Sequence, residues 1–340
     1  MPAISAARLA AFEVLRGVAA GGLSDVLLAQ HTAGLDSRDA GLAEEIAFGV
    51  LRRQLQLDFL IEHFGGVKIQ KLDQPVLIAL RMGVYQLRYL DRIPAHAAVA
   101  ESVELVKRAK KRSAAGLVNA VLRKVTRDPI AWPTSSLELS TPDWLLQRWD
   151  DKARVVGEHS LTVPVSGMDP GSRSIVPLLN LERGMSFLDL CAAPGNKTRM
   201  ALELQPSLAI ASDRSFPRLR DVPGERVQLD ATQPLPFRIQ FDRILVDAPC
   251  SGTGTLARNP EIKWRLRPED LLRHQQRQRQ ILGQAWEKVK PGGRLVYSTC
   301  SLEPEENEEV VAEFPVTETI RRWPGIDDGD GFFAAILEKR

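Results

Sequence analysis

The stretch Phe187-Leu188-Asp189-Leu190-Cys191-Ala192-Ala193-Pro194-Gly195-Asn196-Lys197-Thr198 reads as a buried strand, a tight turn of small residues and the start of a helix. In a doubly wound α/β sheet such a turn is where the ligand sits. Small side chains let a ligand approach the backbone, Gly195 and Asn196 tolerate left-handed conformations, and the following helix offers free amides. The turn alone is weak evidence, because many α/β folds need one merely to reverse the chain.

The residues that follow repeat the rhythm. Short apolar runs at Met185–Leu190, Leu208–Ser212, Arg226–Leu229, Phe241–Val246 and Gly293–Ser298 are separated by helical segments, which predicts a mostly parallel sheet. Asp213 and Asp230 end the second and third runs, on the edge where such sheets bind ligands. A carboxylate after the second strand can accept the two hydroxyls of a ribose, and one after the third an adenine amino proton, so an adenosine-bearing cofactor fits. Either Asp alone is equally well explained as a helix cap or a solvated loop residue.

Up to about Lys124 the pattern is different. Leu9, Phe12 and Leu15, then Ile46, Val50 and Leu51, recur at helical spacing, and Gly21-Gly22, Gly65-Gly66 and Ile93-Pro94 punctuate the helices, so five or more short helices in a compact bundle are expected. A proline-containing stretch with one helix near Trp144-Leu145-Leu146 joins the halves. The expected division is residues 1–128, a linker over 129–168, and 169–340.

Composition bounds the function. A 340-residue chain with 44% apolar and 26% charged residues is ordinary for a folded two-domain protein. The net charge of +2 hides an uneven distribution, with 18 Lys/Arg against 13 Asp/Glu in residues 1–128. Lys107-Arg108-Ala109-Lys110-Lys111-Arg112, with Arg123, Lys124 and Arg127, is either a phosphate-facing surface or an ordinary solvated helix end. Three cysteines argue against a disulfide framework and for reduced thiols in the cytoplasm. Neither an export signal nor a membrane span is expected, and the five histidines show no metal spacing.

Two further runs carry the chemistry. Phe241–Val246 leads into Asp247-Ala248-Pro249-Cys250-Ser251-Gly252-Thr253-Gly254, and Gly293–Ser298 leads into Thr299-Cys300-Ser301. An isolated cysteine is usually a small hydrophobe. Two thiols and a carboxylate delivered to one sheet edge, each flanked by turn residues, point instead to a site.

These residues resemble the bacterial Sun (Fmu, RsmB-type) family of ribosomal RNA cytosine-5 methyltransferases, and the resemblance covers most of the chain. Asp247–Cys250 with Ser298–Cys300 carries it most specifically. Arg92–Val103 and Gly116–Arg123 resemble the NusB-like, all-helical RNA-binding domain with which that family begins. The resemblance implies an all-α bundle followed by a Rossmann-like methyltransferase domain, with S-adenosylmethionine held by Cys191, Ala192, Ala193, Pro194, Gly195, Asn196, Lys197, Asp213, Asp230 and Asp247. It implies Cys300 as nucleophile, Cys250 as the thiol that assists product release, and RNA as partner, above all small-subunit (16S) ribosomal RNA. Transfer RNA as substrate, and a non-catalytic RNA-binding assembly factor, are the alternatives; a monomer is expected.

The chemistry suits the residue types. Cytosine C5 is a poor nucleophile until a thiolate adds at C6 and makes it enamine-like. Asp247 can bond the N3 and N4 edge, and Lys197 can polarise the base or hold the methionine end of the cofactor. Leu302–Glu309 resembles a family segment after the nucleophile and reads as an acidic helix start. Asp330-Gly331-Phe332-Phe333 resembles the family's last hairpin strand, with packing as the role of its rings.

The chain also departs from the family. Nineteen residues separate Trp149 from Asp169, too few for the usual RNA-binding insertion. Met168–Arg173 keeps the Asp and Ser of a family motif but neither glutamine. Pro217 and Pro223 leave little room for a full helix between Asp213 and Asp230.

Overall fold

The computed structural model describes residues 4–164 and 167–340. Met1–Ala3 of the expected first domain, and Val165 and Ser166 of the expected linker, lie outside the described residues. The chain forms two compact units, residues 1–161 with 259–264, and residues 162–258 with 265–340.

The first unit is all-helical, with α1 (Ala6–Ala19), α2 (Ser24–Thr32), α3 (Ser37–Arg52), α4 (Gln54–Gly65), α5 (Gln74–Tyr89), α6 (Ala95–Arg108) and α7 (Ala115–Lys124). Spacing of three and four residues places Ile46, Ala47, Val50 and Leu51 on one buried stripe of α3, against Phe12, Leu60 and Leu80 from other helices. Asp36 caps α3 by accepting from Asp39 N at 2.8 Å. Gly66, at φ 64°, ends α4. Inside the unit Arg81 donates twice to Asp58, at 2.7 and 2.8 Å; burial pushes the Asp58 carboxyl up, and Arg81 opposes it.

Where one linker helix is expected, the structure adds more. Helical turns at Ser135–Glu138, Asp143–Leu146 and Ala153–His159 bury Leu139, Leu145 and Trp149. The segment is tied to α4 by Leu55 N donating to Ser140 Oγ at 3.1 Å and Gln56 Nε2 donating to Glu138 O at 2.6 Å. Residues 259–264 belong to the same unit. Lys263 is buried there, donating to Arg52 O at 2.9 Å, and burial lowers its pKa.

The second unit is built on a seven-stranded sheet in the order β3-β2-β1-β4-β5-β7-β6. Its strands are β1 (Ser186–Asp189), β2 (Leu208–Asp213), β3 (Glu225–Gln228), β4 (Phe241–Asp247), β5 (Val289–Thr299), β6 (Val316–Arg322) and β7 (Phe332–Glu338). The first five are parallel; β7 runs antiparallel between β5 and β6. Phe187, Leu245 and Val296 pack on one face with Val176 and Leu179, whereas Leu188, Ile244, Val246 and Leu295 pack on the other with Ile281 and Leu282 of the helix Pro268–Glu287. Coverage on both faces explains why these strands read as continuous apolar runs rather than alternating ones. The order reverses at β1 and β4, so the crevice of the sheet opens at their carboxyl ends.

Candidate functional site

The β1 turn is fixed from below. Ala192 N donates to Ser212 O at 2.8 Å and Gly195 N to Ala192 O at 2.6 Å. Gly195 sits at φ 96°, and a Cβ there would meet Val222 at 3.0 Å, so the position needs glycine both for its dihedral and for the close approach. The helix Asn196–Glu203 follows and carries Lys197 back over the sheet edge.

There Lys197 Nζ meets Asp247 Oδ2 at 2.5 Å, and Ser298 Oγ donates to Asp247 Oδ1 at 2.8 Å. Asp247 and Ser298 are neighbours in register on β4 and β5, which is how two distant stretches of sequence share one carboxylate. Burial alone would pull the Lys197 ammonium down, but the Asp247 carboxylate beside it outweighs burial and raises its pKa. Below them, burial pushes Asp189 up to about 7 against the Thr198 hydroxyl, which donates to it at 2.7 Å; Asp189 Oδ1 is buried without a partner.

Cys250 and Cys300 leave β4 and β5 side by side, with their sulfurs 3.3 Å apart. The contact with Cys300, together with burial, pushes the Cys250 thiol up, which favours its protonated form. Burial also raises Cys191. Gly254 is threaded into this arrangement: its N–H donates to Cys300 O at 2.9 Å and its carbonyl accepts from Gly331 N at 2.8 Å.

Two cavities meet at Cys300. One, of about 350 Å³, is lined by Cys191, Ala193, Asp213, Asp230, Asp247, Cys250 and Cys300, with Arg214, Arg218 and Arg277 at its wall. Asp213 Oδ1 accepts from Ser215 N at 2.8 Å. Asp230 Oδ1 accepts from Thr232 N at 3.0 Å and from its hydroxyl at 2.8 Å, and these bonds hold Asp230 below the usual carboxylate range. Each carboxylate thus uses Oδ1 for its own turn and has Oδ2 left for a ligand. The other cavity, of about 230 Å³, is lined by Lys197, Asp247, Ser298 and Cys300 together with Asp169, Ser172, Asp330 and Phe332. Asp247, Ala248 and Cys300 line both.

Of the residues expected at the cofactor, Ala192, Pro194, Gly195 and Asn196 do not line the first cavity, and Lys197 lines only the second. Pro194 and Asn196 are exposed, while Ala192 and Gly195 are buried within the turn. Sequence reasoning gave no role to Arg277, which reaches the first cavity from a helix whose arginine spacing looks like a solvated face. It likewise missed Asp330, whose carboxyl is pushed up to about 6 by burial and by nearby Asp169, against Arg258 donating at 2.6 Å.

In the first unit, Arg108, Lys110, Arg112, Arg123 and Lys124 are exposed at the ends of α6 and α7, so the basic run is a surface of that unit. No helix among the described residues is long and apolar enough to cross a membrane.

Comparison with known proteins agrees with this layout. Residues 5–127 match the NusB family and residues 176–316 match the family described as 16S rRNA methyltransferase RsmB/F. The chain is 32% identical to the ribosomal RNA small subunit methyltransferase B of Klebsiella pneumoniae, over 90% of this chain and 91% of that one. It is 32% identical to the protein of the same name from Erwinia tasmaniensis, over 94% of each. The Klebsiella alignment runs over 395 positions, more than this chain has residues, so the relative carries segments that this chain lacks. Among solved structures, that of PH0851 matches with a TM-score of 0.81 at 21% identity, covering 99% of this chain and all of that one, and shows the same fold. With a helical NusB-type half, a methyltransferase sheet and full-length relatives above 30% identity, the chain belongs to the 16S rRNA methyltransferase RsmB/F family.

Proposed function

We propose that this protein transfers a methyl group from S-adenosylmethionine to C5 of a cytosine in RNA, small-subunit (16S) ribosomal RNA before transfer RNA, through a covalent bond between Cys300 and cytosine C6. The observation that carries the reading is the pair of thiols 3.3 Å apart, with Cys300 where two cavities meet and the Lys197–Asp247–Ser298 cluster beside it. A non-catalytic RNA-binding factor has no use for two adjacent thiols on a sheet edge.

The first cavity fits the cofactor. Its volume lies within the range of small-molecule sites, Cys191 and Ala193 of the turn line it, and Asp213 and Asp230 present acceptors suited to ribose hydroxyls and an adenine amino group. Bound there, S-adenosylmethionine supplies an electrophilic methyl group. The second cavity then takes the base, which must be unstacked from its RNA to enter.

Within that cavity Cys300, as a thiolate, adds to C6 and forms the carbon–sulfur bond. Asp247 bonds the N3 and N4 edge, and the adjacent Lys197 ammonium supplies positive charge and a proton as negative charge develops on the ring. After C5 has accepted the methyl group its proton leaves to a base. The C6–sulfur bond breaks, and the electron pair returns to Cys300 with the Cys250 S–H donating to the departing sulfur. We assign residues 169–340 to this chemistry and residues 1–128 to RNA binding through the basic ends of α6 and α7, with 129–168 joining them. The three free cysteines suit a reducing compartment, the cytoplasm.

The test is incubation with tritiated S-adenosylmethionine and either protein-free 16S RNA or transfer RNA, followed by digestion to nucleosides. Label in 5-methylcytidine from 16S RNA is expected. Label from transfer RNA alone would move the substrate, and cofactor binding without label in either RNA would overturn the reaction.

The site also makes a prediction about its backbone. A Cβ on Gly254 would lie 2.3 Å from Gly331 O and 2.9 Å from Cys300 O, and neither backbone atom can swing away as a side chain would. Gly254→Ala is expected to displace the loop carrying Cys300 and lower methylation about 100-fold per folded molecule, the effect of a misplacement of about 1 Å. Activity normalised to the folded fraction by circular dichroism checks this.

A further inference from the structure

Glu306 lies in the acidic run that reads as a solvated helix start, yet its side chain is fully buried. Every contact uses it as an acceptor. Its Oε1 accepts from Ser251 N at 2.8 Å and from Gln278 Nε2 at 3.1 Å. Its Oε2 accepts from Ser301 Oγ at 2.5 Å and, at very short range, from Ser251 Oγ. Ser251 directly follows Cys250, and Ser301 directly follows Cys300. One carboxylate therefore grips the residue after each thiol, and the two serine hydroxyls lie 3.2 Å apart.

The carboxylate is itself held in place. Tyr297, inside β5, donates its hydroxyl to Glu306 O at 2.6 Å. The adjoining Asn307 accepts from Thr299 Oγ1 at 2.5 Å and donates to Ser301 O at 2.9 Å. Glu306 lines neither cavity and its side chain is enclosed, so it acts through the groups it holds. A buried anion needs several donors, and here three of the four come from the two loops whose separation the chemistry depends on, the fourth from Gln278.

We infer that Glu306 is a positioning residue that sets the distance between the Cys250 and Cys300 sulfurs. The inference rests on the two-thiol reading above, but its geometric half can be measured without RNA. Glu306→Gln replaces one acceptor oxygen with an amide NH₂. In the place of Oε1 it meets the Ser251 N–H and the Gln278 amide as donors; in the place of Oε2 it reverses both serine hydrogen bonds and removes the charge that strengthens them. Either way the hold on the loops loosens and the sulfurs separate.

The experiment treats the full chain with diamide, whose azo group takes two electrons and two protons from the thiols as the Cys250–Cys300 disulfide forms. Mass spectrometry of the linked peptide follows the rate. The wild type is expected to cross-link readily, Glu306→Gln at least about 10-fold more slowly, and Ser251→Ala and Ser301→Ala to fall between. With RNA, Glu306→Gln is expected to lose turnover about 10-fold or more while KM for RNA stays within about 2-fold, since positioning acts on the chemical step. A folded Glu306→Gln protein that cross-links at the wild-type rate overturns the proposal. If that variant does not fold, a wild-type rate in Ser251→Ala overturns it instead. Failure of the methylation reading would show separately, as absence of labelled 5-methylcytidine from the wild type.

Discussion

Cys300→Ala is expected to lose methyl transfer by about 10⁴-fold or more, because the residue is proposed to do what no neighbour can do in its place. Without a bond at C6, C5 stays a weak nucleophile however well cofactor and base are bound, and removal of an enzyme's covalent nucleophile has effects on that scale or larger. Cys250 sits 3.3 Å away but is held protonated by the Cys300 contact and by burial, and it does not line the second cavity as Cys300 does. It is therefore a poor substitute. S-adenosylmethionine affinity, followed by calorimetry, is expected to change by less than about 3-fold, since Cys300 is one of many groups around the first cavity and exposes little area to it. Tritium incorporation into RNA checks the main effect.

Cys250→Ala is expected to fail at the opposite end of the reaction. Attack by Cys300 and methyl transfer proceed, but the departing sulfur lacks the S–H that faces it, so the enzyme stays bonded to methylated RNA. Turnover falls by about 100-fold or more, in the range that a lost proton donor costs, while a burst of about one methyl group per enzyme remains. A band of protein plus RNA on a denaturing gel, absent for Cys300→Ala, is the direct readout. Normal turnover by Cys250→Ala would show that release does not need this thiol.

These two effects differ because the sheet delivers two like residues into unlike surroundings. That both thiols reach one edge was visible in the sequence; that their surroundings differ was not. Asp247 and Cys250 leave one apolar run and Cys300 leaves another, and parallel strands must place both ends on one edge. The strands β1 and β4 and the second half of β5 were legible because both of their faces are covered, which makes each an unbroken apolar run; the exposed edge strand β3 was placed by its position in the strand–helix rhythm. The edge strand β6 was not: its Glu318, Arg321 and Arg322 face solvent in part, and the segment has no continuous apolar signal. The helical half announced itself through three- and four-residue spacing, whereas the turns at Ser135–Glu138 and Ala153–His159 are too short to show a period.

The missed site residues share a physical reason. Glu306, Asp330 and Arg277 are charged side chains in charged neighbourhoods, and composition places such residues in solvent. Only the fold shows that Glu306 is enclosed by Ser251, Ser301 and Gln278, or that Asp330 forms part of a cavity wall. Asp213 and Asp230, in contrast, could be placed by counting strands. The short helix Phe216–Leu219 between them follows from Pro217 and Pro223, as the sequence suggested.

The most direct measurement is peptide mapping of the adduct formed by Cys250→Ala with 16S RNA and deuterated-methyl S-adenosylmethionine, after nuclease digestion and proteolysis. The account predicts a cytidine residue carrying the labelled methyl group, attached to the peptide that contains Cys300. Attachment at any other residue, or labelled 5-methylcytidine released freely with no peptide attached, would contradict it.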